Sequence, residues 1–541
     1  MKEFTEEGLK KLDKDVLITL TLSMQEQLNN ISRQLDFMTE QIWLMNQRAF
    51  GRKTDINTST FVDENGVIYE QLQLDNVFNE AEAGSDNSAE PEITEIIVPS
   101  HRRRKAKSKR DADLENLPAR IINHELSKEE LRAEFPNGYK ELPVQIYKRL
   151  SIIPQTFIVD EHHVHIYASK DNDGTIVRAP RPNDLFKNST ATAALISTVM
   201  NAKFSLHQPL DRQSRTFKQY GVNLETNTLC NWVIRGAGRY LSLIYEELRK
   251  QLYDSPVNHA DETPFRVTKD GRPANSKSYM WVYCSNPAVA RKRIILYDYQ
   301  ATRKADHPRE FLKGFSGVLV TDGYQVYHTI DGEREDLTVA GCWIHAKRGF
   351  SEITKSLGET ASRGTIAKQA EDRISEIFHL DSELDKLSNT ERKNRRGHKI
   401  KDKVDAFFVW AKDLIVKGEV QGQTAKALQY CINQETYLRV FITHGNVPMD
   451  NNVAEQAIRP FTLGRKNWVN VDTPNGAKAS AIIYSIVETA KANGLKVREY
   501  LELIFTEMMK HQGKEDTSYI YDLLPWSKPV QKACKLPPAK S

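Results

Sequence analysis

The sequence predicts a multi-domain α/β protein: a mixed-sheet core with a helical insertion, preceded by a coiled coil, a charged linker and a helical region. Three observations predict it. An apolar heptad seam opens the chain, a block of acids followed by a block of bases comes next, and beyond residue 257 short β-rich runs alternate with helical patterns. The length of 541 residues suits three or four modules of roughly 150 residues. A hydrophobic fraction of 39% is low for a compact globule and fits a chain that is partly linker or coiled coil. Five cysteines, at 230, 284, 342, 431 and 534, are too scattered for a disulfide framework and suit a reducing compartment. No apolar run approaches the roughly 18 residues of a membrane span, and the charged start does not read as a signal peptide. A cytoplasmic protein with no membrane partner is expected.

The first element is residues 1–53. Leu17, Thr21, Met24, Leu28, Ile31, Leu35, Met38, Ile42 and Met45 recur at alternating spacings of four and three, which predicts a coiled coil and a homo-oligomer of at least two chains. A linker follows over 54–110. Residues 54–101 hold eleven acids and no Lys or Arg, whereas seven of the nine residues 102–110 are basic, beginning Arg102, Arg103, Arg104 and Lys105. Such blocks are usually solvated. Setting the eleven acids aside turns the formal net charge of +4 into +15 for the rest, an excess that a polyanion meets. A small β-rich module is expected over 111–183, with His162, His163 and His165 in a strand; alternation puts His163 and His165 on one face, but with no cysteine before Cys230 a zinc site there needs carboxylates or distant ligands, so none is expected. Residues 184–256 read as helical, and 210–220, a Gly221 turn and 226–236 have helix-turn-helix spacing. Packing and DNA reading account for that pattern equally well.

The core is expected over 257–495. Strand-like runs at 257–267, 278–284 and 293–298, a short helix at 307–312 and a strand at 317–321 follow the order of an RNase H-like sheet. In that order the fourth strand lies parallel to the first, so Asp261 and Asp322 project toward one place. A helix starts near Asp450, a plausible N-cap, and carries Asn451, Glu455 and Arg459 on one face. Three carboxylates in a partly dry site need counter-charge. Two Mg²⁺ or Mn²⁺ ions about 4 Å apart supply it and serve phosphodiester chemistry at the attacking hydroxyl and the leaving oxygen. Each acid also has an ordinary reading: Asp261 and Glu262 before Pro264, and Asp322-Gly323, are turn signals, and Glu455 can pair with Arg459.

Linked motifs carry a resemblance. His259-Ala260-Asp261-Glu262-Thr263-Pro264, Thr321-Asp322-Gly323-Tyr324, Cys342-Trp343-Ile344-His345-Ala346-Lys347-Arg348-Gly349-Phe350 and Asp450-Asn451-Asn452-Val453-Ala454-Glu455-Gln456-Ala457-Ile458-Arg459-Pro460 resemble the core motifs of the insertion-sequence-66 family of DDE transposases. Leu463-Gly464-Arg465-Lys466-Asn467-Trp468, Thr489-Ala490-Lys491-Ala492-Asn493-Gly494, Ala49-Phe50-Gly51-Arg52-Lys53 and Leu524-Pro525-Trp526 extend the match over nearly the whole chain. The resemblance implies Asp261, Asp322 and Glu455 as the catalytic, metal-binding acids of an Mg-dependent DNA strand transferase. It implies terminal inverted repeats and target DNA as partners, accessory proteins of the same element, and a bacterial, nucleoid-associated setting. It also implies a zinc module between zipper and helical region; no cysteine precedes Cys230 here, so zinc is not expected.

Three further features complete the reading. Cys342 and His345 have the spacing of a two-ligand metal hook but lack assignable partners, so a buried structural pair is expected. The helical insertion, 351–445, carries a basic cluster including Arg392, Lys393, Arg395 and Arg396, expected to meet phosphates together with Arg459, Arg465, Lys466 and Trp468. A C-terminal helix and tail are expected over 496–541. The competing functions are a transposase-derived DNA-binding regulator without catalysis and another RNase H-like nuclease or resolvase.

Overall fold

The computed structural model describes residues 13–25, 27, 120–122, 124, 126–137, 155–168, 176–273, 276–290 and 292–537, and the backbone of 58–62 and 68–72. Contacts divide the chain into Phe50–Gln155 and the remainder. In the first unit, Thr58–Val62 and Ile68–Leu72 pair as an antiparallel hairpin, and Lys128–Glu134 is a helix started by a capping box between Ser127 and Glu130. The hairpin falls inside the stretch that charge alone assigns to a linker. Net charge hid a local pattern: β-branched and aromatic residues flank Asn65-Gly66, a strong hairpin turn signal. Arg102, Arg103, Arg104 and Lys105 lie outside the described residues, as does most of the heptad seam; residues 14–25 are helical.

In the second unit, the hairpin Ile166–Ala168 with Ile176–Arg178 is the regular structure among the described residues between 155 and 183. His162, His163 and His165 therefore precede a strand instead of alternating along one. The helical region comprises α1 (Ala193–Phe204), α2 (Leu210–Gln219), α3 (Thr226–Gly236) and α4 (Ser242–Leu252). The Thr192 side chain caps α1 by accepting the Leu195 N–H. Between α2 and α3, Gly221 holds φ +79°, a conformation glycine enters without strain, so the expected helix–turn–helix is present as two helices.

Five strands form one mixed sheet in the order β3-β2-β1-β4-β5: β1 (Val257–Phe265), β2 (Ser278–Ser285), β3 (Ile295–Gln300), β4 (Gly317–Thr321) and β5 (Leu337–Gly341). β1 to β3 make an antiparallel meander. β4 and β5 are parallel to β1 and are reached through α5 (Asp306–Phe311) and α6 (Gln325–Glu333), as parallel pairing requires a crossover. Side chains alternate between two cores. Leu319 and Val339 join the core shared with α1 to α4, whereas Val257, Val318, Val320 and Ala340 join the insertion. That insertion starts at the end of β5, with α7 (Trp343–Ser362), α8 (Ile366–Ser382), α9 (Asn389–Arg395), α10 (Lys401–Val416) and α11 (Gly422–Asn433), before the chain returns as α12 (Asn452–Trp468).

The sheet edge at β3 is closed by α13 (Pro474–Ala492). Ser485 Oγ accepts the Tyr297 N–H at 2.8 Å and Thr489 Oγ1 accepts the Ile295 N–H at 3.0 Å. One helical step of four rises about 6 Å and one strand step of two about 6.8 Å, so the two hydroxyls match alternate edge donors. The C-terminal segment is no loose tail as far as residue 537. α14 (Val497–Lys510) packs on α1, Ile520, Leu523 and Val530 are buried, and Lys496 N–H donates to Cys534 O at 2.7 Å. No helix among the described residues is long and apolar enough to cross a membrane.

Candidate functional site

Strand register builds the first half of the site. Val257, Asn258 and His259 lie beside Val318, Leu319 and Val320 in parallel. Carried two residues past the last pair, the same register points Asp261, midway along β1, toward Asp322, the residue after β4, and the charge of Asp322 acts on the Asp261 carboxyl. Asp322 Oδ1 accepts the Tyr324 N–H at 3.0 Å, and its carbonyl accepts the Tyr430 hydroxyl at 2.8 Å. Gly323, at φ +94°, passes so close that a Cβ there lies 2.7 Å from that hydroxyl. The turn after the second acid is thereby locked to α11.

The second half comes from α12, which is pinned to β1 by Asn451. This side chain is fully buried; its Nδ2 donates to Ala260 O at 2.8 Å, and its Oδ1 lies 2.9 Å from His259 Nδ1. With the amide nitrogen spent on a carbonyl, Oδ1 must accept, which assigns the His259 proton to Nδ1. Burial drives the pKa of His259 down to about 4, so the ring is neutral. Asp450, expected as the N-cap, sits one residue early. Asn451 holds the cap position but its side chain is committed to β1, and Asp450 Oδ1 instead accepts the Asn452 N–H at 3.0 Å. Glu455, one turn into α12, has both carboxylate oxygens 3.4 Å from Arg348 Nη2 and one 3.7 Å from His345 Nδ1. No pair with Arg459 forms among the described residues; Arg459 is exposed.

Charge is concentrated here. Burial, then Asp322, Glu262 and Glu455, raise the Asp261 carboxyl to a pKa of about 8. Glu262 is buried, accepts from Arg303 and, at 3.0 Å, from the Tyr327 hydroxyl. Burial and Asp322 nevertheless hold its pKa above the ordinary glutamate value. The charges of Asp322 and Glu455 both act on Asp261 and help hold its carboxyl protonated at neutral pH; carboxylates of this kind are hard oxygen donors suited to Mg²⁺ or Mn²⁺. A cavity of about 520 Å³ opens beside Asp322, lined by Arg303, Tyr324, His345, Lys426 and Tyr430 among others.

The basic candidates separate once placed. Arg396 is completely buried and cannot meet a phosphate. It pairs with Asp381 at 2.7 Å and donates to the carbonyls of Phe441, His444 and Val447, clasping the insertion shut. Arg392 is drawn to Asp381 and Asp385 at 2.6 and 3.1 Å. The expected cluster is thus not one surface, because Asp381 turns two of its cations inward. Lys393 and Arg395 remain exposed. Arg465 bonds the Pro264 carbonyl at the end of β1, Lys466 is exposed, and Trp468 is half-buried with Lys203 Nζ 4.2 Å from its ring centroid.

The Transposase IS66 family profile matches residues 188–479. The chain belongs to the IS66 family of transposases. The match runs from before α1 into α13 and takes in all three acids. Three curated proteins of Sinorhizobium fredii are also similar. The uncharacterised protein y4qI is 28% identical over 393 residues, 70% of each chain; y4hP is 25% identical over 397 residues, 71% of each. The third, y4jD, is 27% identical over 392 residues, 70% of this chain and 74% of its own. In this IS66-family chain, sequence reasoning missed the Asn451 clamp, the Glu262–Arg303–Tyr327 network and the hold of Arg348 on Glu455. His259 and Asn451 stand inside the quoted motifs, but 192 residues separate them, and no spacing rule joins residues that far apart.

Proposed function

We propose that the protein is a DNA transposase that cuts the ends of its element and joins the 3′-hydroxyls to target DNA, using Asp261, Asp322 and Glu455 as a two-metal DDE site. The observation that carries this reading is that the charges of Asp322, just past β4, and Glu455, on α12, both act on Asp261 of β1 in a chain of a transposase family. The strand order β3-β2-β1-β4-β5, with β4 and β5 parallel to β1, supports an RNase H-like core. The three acids would hold Mg²⁺ or Mn²⁺. When bound, two such ions supply the Lewis acidity that activates the attacking hydroxyl and stabilises the leaving oxygen.

The remaining roles belong to the chain. Asn451 sets the distance between helix and sheet, and Arg348 steadies the Glu455 carboxylate. Arg303, held by Glu262, and Lys426 border the cavity beside Asp322, where a phosphodiester backbone brings negative charge. Exposed Lys393, Arg395, Arg459 and Lys466, with the basic run at Arg102 to Lys105, are candidate phosphate contacts. The face of α3 that bears exposed Asn227 and Asn231 is the candidate for reading terminal repeats in a groove. The heptad seam offers pairing of two chains on two element ends, in the bacterial cytoplasm and with accessory proteins of the element.

Asp261→Asn, Asp322→Asn and Glu455→Gln each abolish Mg²⁺-dependent cleavage and strand transfer, while binding to an end-containing duplex persists. Joined product from any one variant removes that residue from the metal site. Binding without any product from the unmodified protein marks a regulator instead.

A further inference from the structure

We infer that Cys342, His345 and Glu455 form a second kind of metal site, one for a zinc-like divalent transition ion, which shares Glu455 with the carboxylate cluster. Sequence spacing offers two ligands, and the fold adds the third. One ligand atom from each residue lies within 4.8 Å of the other two. They come from two places far apart in sequence: Cys342 caps α7 and His345 lies in its first turn, while Glu455 lies in the first turn of α12. A thiol, an imidazole and a carboxylate select a borderline-soft ion such as Zn²⁺, whereas Mg²⁺ prefers the all-oxygen set of Asp261 and Asp322.

The surroundings are those a bound ion needs. Cys342 is buried, and its Sγ accepts the Asn451 N–H at 3.3 Å, with further N–H groups of Ile344 and His345 directed at it. Backbone donors of this kind support a metal-bound thiolate. His345 Nδ1 is enclosed and has no hydrogen-bond partner among the described residues, an orphan that ligation resolves. Arg348 now stands where a cation belongs, 3.4 Å from both Glu455 oxygens and 3.2 Å from His345 Nε2. Half-exposed, it can swing away. An ion on Nδ1 moves the imidazole proton to Nε2, which then no longer accepts from Arg348, so ion entry and guanidinium exit are coupled. The 520 Å³ cavity, which His345 lines, gives a route in and room for a water as fourth ligand.

An ion here takes Glu455 from the other two acids, so zinc occupancy opposes the proposed Mg²⁺ chemistry. Binding itself does not rest on that chemistry, and the two are tested apart. Calorimetry of the full-length, metal-free protein with zinc chloride should show one site that Cys342→Ala and His345→Ala each weaken at least about ten-fold, the loss of one good ligand or its support. Arg348→Ala should bind zinc as tightly or more tightly, which a merely structural role for the cluster does not produce. Uptake unchanged in both ligand variants, as from the exposed His162, His163 and His165, overturns the site, as does weaker binding by Arg348→Ala. Zinc at concentrations that fill the site should suppress strand transfer with Mg²⁺ present; undiminished transfer overturns the sharing of Glu455. A protein that binds zinc as stated but never transfers strands leaves the site standing and removes the transposase reading.

Discussion

Asp261 shows how one residue's environment becomes a measurable property. Its pKa of about 8 in the folded, metal-free protein stands far above the ordinary aspartate value of 3.8. Between those values the folded chain keeps a proton that the unfolded chain has released, so stability falls as pH rises through that window. In chelator, the Tm of the unmodified protein should drop between pH 5 and pH 8 by several degrees more than that of Asp261→Asn, which cannot ionise. Parallel curves for the two proteins assign the titration to another group. Saturating Mg²⁺ should raise the Tm at pH 8 and do so less in the variant, since an ion that binds only the folded state stabilises it. Asp261 was legible as a candidate from its motif. Its protonation was not, because besides its neighbour Glu262 it depends on burial and on the charges of Asp322, after β4, and Glu455, on α12.

At the scale of elements, the insertion separates what composition groups together. Lys393, Arg395 and Arg396 look alike in sequence, yet α9 turns the first two to solvent, and the helical turn that follows it buries the third on Asp381. Arg396→Ala leaves Asp381 buried with less counter-charge and should destabilise the insertion by about 3–5 kcal/mol, read as a lower denaturant midpoint. Lys393→Ala with Arg395→Ala should leave stability within about 1 kcal/mol and reduce the salt slope of DNA binding by about two. An unchanged slope places those side chains away from phosphate. The helices themselves were legible because periodicity and caps are local: Gly221 marks the turn between α2 and α3, and Thr192 marks the start of α1. The start of α12 shifted by one residue because Asn451 is held by a partner 192 positions away. Its cap was decided by a tertiary contact.

For the whole molecule, charge is partitioned along the chain. Eleven acids without a single Lys or Arg occupy 54–101, and the rest of the chain carries +15. Deleting residues 54–99 should strengthen non-specific DNA binding at low salt, with the gain fading as salt rises. Unaltered affinity at low salt means that the acidic stretch does not screen the basic surface. The hairpin strands within that stretch show that overall charge is a poor guide to local backbone pairing when β-branched residues flank an Asn-Gly sequence.

The sequence by itself determined the first four strands and their order, the helical region, the presence of a helical insertion and the three acids within their motifs; the fifth strand, Leu337–Gly341, came only with the structure. The features it determined depend on periodicity and short signals, and both are local. Only the tertiary structure decided that Asn451 fastens the helix bearing Glu455 to β1, and that Cys342 and His345 meet that same glutamate. It also decided that Arg396 is a clasp and Arg395 a surface cation. The physical reason is the same in each case. Proximity, burial and pKa are set by which elements pack together, and the residues concerned lie up to about two hundred positions apart.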